Sequence, residues 1–388
     1  VGVMGADHPG SGGGGRVDTV CMACGERSPG VHLRCPRCGG PAILEIEGIR
    51  WDVRRDVPSM WRYESMLPAV RRRVSLGEGV TPIRRVGDAH VKLEGRNPTG
   101  SYADRASSVM ASHIASEGGR GEVAVEYSED FAYSVARYLR GISDVEVAIP
   151  DPSRVDPQEV VALVEMGARV RFGRTGRELG YANSLSVEGL KTIALEVIEK
   201  SPRVERIVVP AETGLLALSI WKGLRDAEEA GAGVDLEVDA AILRGSGTPD
   251  VLSRIGGVSV HEVDPEDAVR GLVELARAGI RAKVLSAAAF ALAEELGRGL
   301  AVVTASQRRP QVHRRGESAL MADVARAVGE MGEASAYDLW RELRRYTLRG
   351  IYKAVEALEA EGELCARHVV RGGRKVRVYS RCVDGEDK

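Results

Sequence analysis

The chain is poor in phenylalanine, with three among 388 residues, and aromatic side chains make up only 4% of it. A core with so few rings must be filled by aliphatic and alanine side chains, and a 44% hydrophobic content is ample for that. No apolar run approaches the ~18 residues that a membrane-crossing helix needs, so the expectation is a soluble, cytoplasmic, multidomain chain with no membrane partner. The formal net charge of −2 argues against a uniformly basic nucleic-acid binder. Residues 1–16 lack apolar periodicity and contain Gly12-Gly13-Gly14-Gly15, which predicts a disordered tail; without an h-region they are no signal peptide. Lysine is scarce as well: Lys92, Lys191, Lys200, Lys222, Lys283, Lys353, Lys375 and Lys388 are the whole set.

Cysteine is used six times, and four of the six form two knuckles, Cys21-Met22-Ala23-Cys24 and Cys35-Pro36-Arg37-Cys38, ten residues apart and each followed by glycine. Turns of that length aim both sulfurs of a knuckle inward, so the two can wrap one tetrahedral ion. With Cys21, Cys24, Cys35 and Cys38 filling all four positions, a zinc there is structural, and residues 17–48 are expected to be a zinc ribbon. A disulfide reading competes, but no secretion signal favours it, and the usage points to a reducing compartment. Cys365 and Cys382 read as ordinary small hydrophobes.

Between about residues 74 and 306, short β-rich runs alternate with longer amphipathic ones, the pattern of an α/β fold with a largely parallel sheet. Val123–Tyr127 precedes a helix near Phe131–Arg140, Val145–Ile149 a helix at Pro157–Met166, and further strands fall near Val170, Ile207–Val209 and Leu300–Val303.

Several blocks in this stretch, taken in order, resemble the threonine synthases. They are Val74-Ser75-Leu76-Gly77-Glu78-Gly79-Val80-Thr81-Pro82, Val91-Lys92-Leu93-Glu94-Gly95-Arg96 and Asn97-Pro98-Thr99-Gly100-Ser101-Tyr102-Ala103-Asp104-Arg105. Asn183-Ser184 with Glu188-Gly189-Leu190-Lys191-Thr192, Ile207-Val208-Val209-Pro210 and Trp221-Lys222-Gly223 continue the series. The resemblance implies a fold-type II pyridoxal-phosphate enzyme fold, two α/β domains with parallel sheets over residues 49–310. It also implies that Ala103 occupies the position of the lysine that would hold the cofactor as an imine. A methyl group cannot form one.

Other departures fall where the family touches its ligands. Tyr127-Ser128-Glu129-Asp130 replaces the loop that holds the cofactor ring and substrate carboxylate, bringing in two like charges. Ala211-Glu212-Thr213-Gly214 replaces a glycine-rich phosphate cup with a side chain that repels phosphate. Val303-Thr304-Ala305-Ser306 is a smaller change. The expectation is therefore no catalytic residue, no bound pyridoxal phosphate, and a degenerate pocket made of Ser128, Glu129, Asp130, Asn183, Ser184, Lys191, Glu212, Thr213 and Gly214. Such a pocket could take a small amino-acid-like ligand. Ser101 and Asp104 read as simple helix capping.

After a linker at 311–316, residues 317–383 give helical patterns at Glu317–Met331, Ser335–Arg345 and Thr347–Glu361, then a hairpin about Gly372-Gly373. This is the winged helix-turn-helix order. Thr347 caps the third helix, Ile351, Val355 and Leu358 form its buried stripe, and Arg349, Tyr352 and Lys353 face outward. With Arg371, Arg374, Lys375 and Arg377 on the wing, residues 336–382 carry eleven Lys or Arg against six Asp or Glu. That is a footprint for double-stranded DNA, although winged helices also bind proteins.

The sequence thus predicts a DNA-binding regulator, a homodimer, whose threonine synthase-like part senses a ligand or dimerises. The alternatives are a pyridoxal-phosphate lyase with an atypical site and a non-catalytic partner of an active threonine synthase.

Overall fold

The computed structural model describes residues 16–119, 121–200, 203–305, 319–360 and 362–382. The expected tail (apart from Arg16), the 311–316 linker and Ser306 lie outside them. The chain divides into two compact units, Val1–Gln311 and Val312–Lys388.

The first unit begins with β1 (Val17–Cys21), β2 (Arg27–Pro29) and β3 (Ala42–Ile46), an antiparallel sheet in the order β2-β1-β3. Then come β4 (Ile83–Val86), β5 (Ala89–Leu93), α1 (Ala103–Ser116), β6 (Glu122–Glu126), α2 (Phe131–Leu139), β7 (Asp144–Ile149), α3 (Pro157–Glu165) and β8 (Arg169–Phe172). They are followed by α4 (Ser184–Lys200), β9 (Arg206–Pro210), α5 (Leu215–Glu229), β10 (Glu237–Leu243), β11 (Val258–Val263), α6 (Pro265–Arg277), α7 (Val284–Leu296) and β12 (Gly299–Val303).

Two further sheets result. One is six-stranded, β11-β10-β9-β12-β5-β4, and parallel except for the β4–β5 hairpin; the other, β6-β7-β8, is wholly parallel. Central strands are continuous aliphatic runs because both faces are covered: Ile207, Val208 and Val209 of β9 and every residue of β12 are buried.

Glycines set how closely the helices pack. A Cβ on Gly189 of α4 would fall 2.2 Å from the Arg105 carbonyl oxygen on α1, and one on Gly223 of α5 would fall 2.6 Å from the Lys191 carbonyl oxygen on α4. Gly189 and Gly223 therefore act as spacers between backbones.

The second unit comprises α8 (Ala319–Met331), β13 (Ala334–Ser335), α9 (Ala336–Glu342), α10 (Leu348–Ala360), β14 (Leu364–Arg371) and β15 (Arg374–Arg381). Its sheet, β13-β15-β14, contains a short first strand that sequence periodicity did not reveal. The expected stripe of Ile351, Val355 and Leu358 lies in the core with Val324, Val328 and Leu339. Thr347 accepts from the Gly350 amide at 3.1 Å, as its capping role requires. Gly372 and Gly373 both sit at positive φ in the two-residue hairpin turn. One expectation is corrected here: Cys365 and Cys382 are joined in a disulfide, Cα to Cα 5.0 Å, rather than standing as ordinary small hydrophobes.

No helix among the described residues is long and apolar enough to cross a membrane.

Candidate functional sites

In the N-terminal sheet, the sulfur atoms of Cys21, Cys24, Cys35 and Cys38 all lie within 4.8 Å of one another. Sγ–Sγ separations of 3.5 Å for Cys21–Cys38 and 3.8 Å for Cys24–Cys35 are close to the ~3.8 Å edge of a tetrahedron with Zn–S bonds of about 2.3 Å. The donor set is consistent with a structural zinc and leaves no open position. This ribbon is tied to the start of α4, where the Ser184 hydroxyl and amide donate to the carbonyls of His32 and Leu33 at 2.7 and 3.0 Å.

A cavity of about 150 Å³ is lined by the loops after β6, β9 and β12 and by the chain entering α1 and α7. Loops after the carboxyl ends of parallel strands are where α/β folds place ligands. Ser128, Glu129, Asp130, Glu212, Thr213 and Gly214 all line it, six of the nine residues expected.

The other three stand elsewhere. Asn183 donates to the Gly180 carbonyl and accepts from the Ser186 amide, holding the entry to α4. Ser184 serves the ribbon. Lys191 is buried against Glu188 and Asp226, at 2.5 and 2.7 Å, beside Lys222. These residues satisfy local structure rather than a pocket.

What sequence reading did not place in the cavity is Lys283, the residue preceding α7. Its ammonium lies 2.5 Å from Asp130 and 3.0 Å from Glu129. Burial would lower the Lys283 pKa, but those carboxylates hold it well above the usual lysine range. Burial likewise pushes Asp130 up, against the pull of Lys283. A lysine preceding a helix gives no sign of its role without knowing which loops meet.

Tyr102 and Tyr181 close one wall: the Tyr102 hydroxyl donates to Tyr181 at 2.7 Å, and Tyr181 meets the Phe131 ring edge-on at 5.5 Å. Ser286 and Thr304 add hydroxyls 3.0 Å apart. Glu212 is at the rim, three-quarters exposed and 3.7 Å from Arg154.

Ala103 is buried as the first residue of α1. Asp104 departs from the simple capping expected of it. Its carboxylate accepts from Ser134 at 2.6 Å and from the Thr99 amide at 2.7 Å, pinning the 97–102 loop to α2, and burial raises it to about 6. Ser101 does accept from the Ala103 amide, at 3.2 Å.

On the second unit, α10 exposes Arg349, Tyr352 and Lys353 together, as expected. Among the described residues, neither Arg349, Lys353 nor Lys375 takes part in an ion pair. Arg371 instead pairs with Asp338 at 2.8 Å and Arg377 with Glu359 at 2.6 Å, so two of the four expected cations of the β14–β15 hairpin are neutralised within the unit. The Arg374 side chain lies outside the described ones.

Residues 74–306 match the pyridoxal-phosphate dependent enzyme family. The threonine synthase of Methanosarcina acetivorans is 27% identical over 243 residues, 53% of this chain and 59% of that protein. That of Methanocaldococcus jannaschii is 27% identical over 250 residues, 54% and 61%. The chain thus spans about three fifths of the length of these curated relatives. Among solved structures, the cysteine synthase from Entamoeba histolytica aligns with a TM-score of 0.50 at 15% identity, over 61% of this chain and 87% of that one. A fungal L-serine ammonia-lyase from Rhizomucor miehei aligns with a TM-score of 0.50 at 14% identity, over 59% and 94%. At such identities the likeness is one of fold.

Proposed function

This chain belongs to the pyridoxal-phosphate dependent enzyme family, and we propose that it is a member turned from catalysis to ligand sensing, joined to a DNA-binding unit of the winged helix-turn-helix kind. The observation that carries the first half is the charge of the cavity: carboxylates of Glu129, Asp130 and Glu212 against the single ammonium of Lys283. Pyridoxal phosphate brings a dianionic phosphate and needs an unprotonated amine. The residues present do not fit it. Ala103, by resemblance of the 97–105 run, stands where the amine belongs, and Lys283 is held as an ammonium by its two carboxylates. Glu212 lies in the loop before Gly214, the N-cap of α5, where a phosphate would need bare amides.

The second half rests on α10. It buries one apolar stripe and turns Arg349, Tyr352 and Lys353 to solvent, and the β14–β15 hairpin adds Lys375 as a further cation. A helix of this kind reads base edges while unpaired cations meet phosphates. The protein acts as a homodimer on half-sites about one helical turn, ~10 bp, apart.

Pulldown of fragmented genomic DNA with the purified chain tests this directly. The expected outcome is enrichment of discrete duplex sites, with affinity falling steeply as salt rises. Arg349→Ala/Lys353→Ala is expected to remove the enrichment with the circular dichroism spectrum unchanged; enrichment that survives the double substitution refutes this recognition helix. For the first half, the protein should be colourless after incubation with pyridoxal phosphate, and borohydride should fix no cofactor to it. A cofactor-modified Lys283 peptide would restore the lyase reading.

A further inference from the structure

The cavity already holds a primary ammonium, and that ammonium belongs to the protein itself. Lys283 reaches in from the start of α7 and sets its Nζ between Asp130 at 2.5 Å and Glu129 at 3.0 Å. Asp130 sits at φ 67°, a left-handed value unusual for a residue with a Cβ, so the β6–α2 turn holds a carboxylate here at a backbone cost. Buried Glu159 accepts from the Asp130 amide at 3.3 Å, adding a further acid close by. One lysine among these groups leaves the cavity lining formally negative, and hydroxyls of Ser128, Thr213, Ser286 and Thr304 complete the polar wall.

We propose that the cavity is a seat for a small ligand carrying a primary ammonium group, and that Lys283 fills the seat in the ligand's absence, so that an incoming amine competes with Lys283 for Asp130 and Glu129. The proposal rests on the sensing reading above and deepens it by naming the ligand chemistry: an amine, not a phosphate. A volume of about 150 Å³ admits only a few heavy atoms. The first amides of α2 already donate to the Ser128 carbonyl and to Glu159, and Leu215 of α5 donates to the Thr213 hydroxyl, but α7 starts at this cavity from Lys283 with no side-chain cap for its first amides. Those amides suit a carboxylate, so the ammonium could come from an amino-acid zwitterion or from a plain amine.

Isothermal titration calorimetry on the full chain distinguishes these sources and tests the seat. The probes are L-serine, ethanolamine, N-acetylserine and inorganic phosphate. Heat of binding is expected with serine, ethanolamine or both, and not with N-acetylserine or phosphate; serine binding tighter identifies a zwitterion, and equal binding a plain amine. Lys283→Met should tighten amine binding by about tenfold or more, the factor by which a seat free in a tenth of the molecules weakens apparent affinity. Asp130→Asn should abolish binding while the fold is kept, since asparagine tolerates positive φ.

Amine binding that Lys283→Met weakens, binding of phosphate in preference to amines, or no amine heat in wild type and Lys283→Met alike would each overturn the proposal. Loss of amine binding with genomic DNA capture intact would sink this inference alone, whereas a borohydride-fixed cofactor would sink the reading beneath it.

Discussion

Arg105 shows how far a single position can be understood from sequence. It follows Asp104 in the first turn of α1, but its work is done with residues far along the chain. Its guanidinium donates to Glu94 at 2.7 Å and to Glu196 at 2.7 Å, and Lys92 joins Glu196 at 2.6 Å; all four side chains are completely buried. Two cations and two carboxylates cancel, which is the only way such a group persists inside a core. The resemblance puts Lys92 and Glu94 in one short run, at the end of β5 and just after it, but no local signal pairs Lys92 and Arg105 with a carboxylate about a hundred residues later. Arg105→Met leaves two buried carboxylates with one cation, and a loss of about 3–5 kcal/mol is expected in urea denaturation at pH 7. Burial would raise Glu94, yet Arg105 and Lys92 bring it down to about 2. A depressed carboxyl contributes stability above its unfolded value of about 4.3 and loses it as pH falls through the folded value. The gap between wild type and Arg105→Met should therefore narrow from pH 4 towards pH 2; a constant gap would mean that the arginine acts through packing alone.

At the scale of elements, legibility followed the distance over which a signal acts. The cysteine knuckles and the α10 stripe are local patterns, and the described chain realises both. The strands near Ile207–Val209 and Leu300–Val303 were equally plain, because buried parallel strands are unbroken aliphatic runs. The two-residue β13 was not, since two residues carry no period. Nor was the Cys365–Cys382 pairing, which brings together the two ends of a hairpin. The ribbon supports a prediction of its own. Its β-strands are short, and much of its order must come from the ion. The purified chain should contain one zinc per molecule by atomic absorption, and Cys35→Ser should lose it. Proteolysis of the metal-free chain should begin between residues 17 and 48, because the ribbon's hold on α4 at Ser184 depends on His32 and Leu33, which lie between the knuckles. A variant that lacks zinc but resists protease as wild type does would show that the sheet stands without metal.

The whole molecule joins two units that differ in local charge within a chain that is nearly neutral. Average charge concealed both the acidic cavity of the first unit and the exposed cations of α10 in the second, so only segment-by-segment reading could find either. If one senses and the other binds duplex, their affinities are linked: an amine that changes DNA affinity by a given factor must have its own affinity changed by DNA by the same factor. That reciprocity is testable without knowing how the units meet. DNA titrations at saturating serine or ethanolamine, and amine titrations at saturating operator fragment, should return the same factor, expected at about 5–150-fold for a coupling of 1–3 kcal/mol. Lys283→Met supplies the control. If the lysine mimics bound ligand, removing it should leave the empty-cavity state on its own and enlarge the factor. A factor of one in both directions, with each ligand still binding, would make the enzyme-like unit a passive carrier of the DNA-binding one.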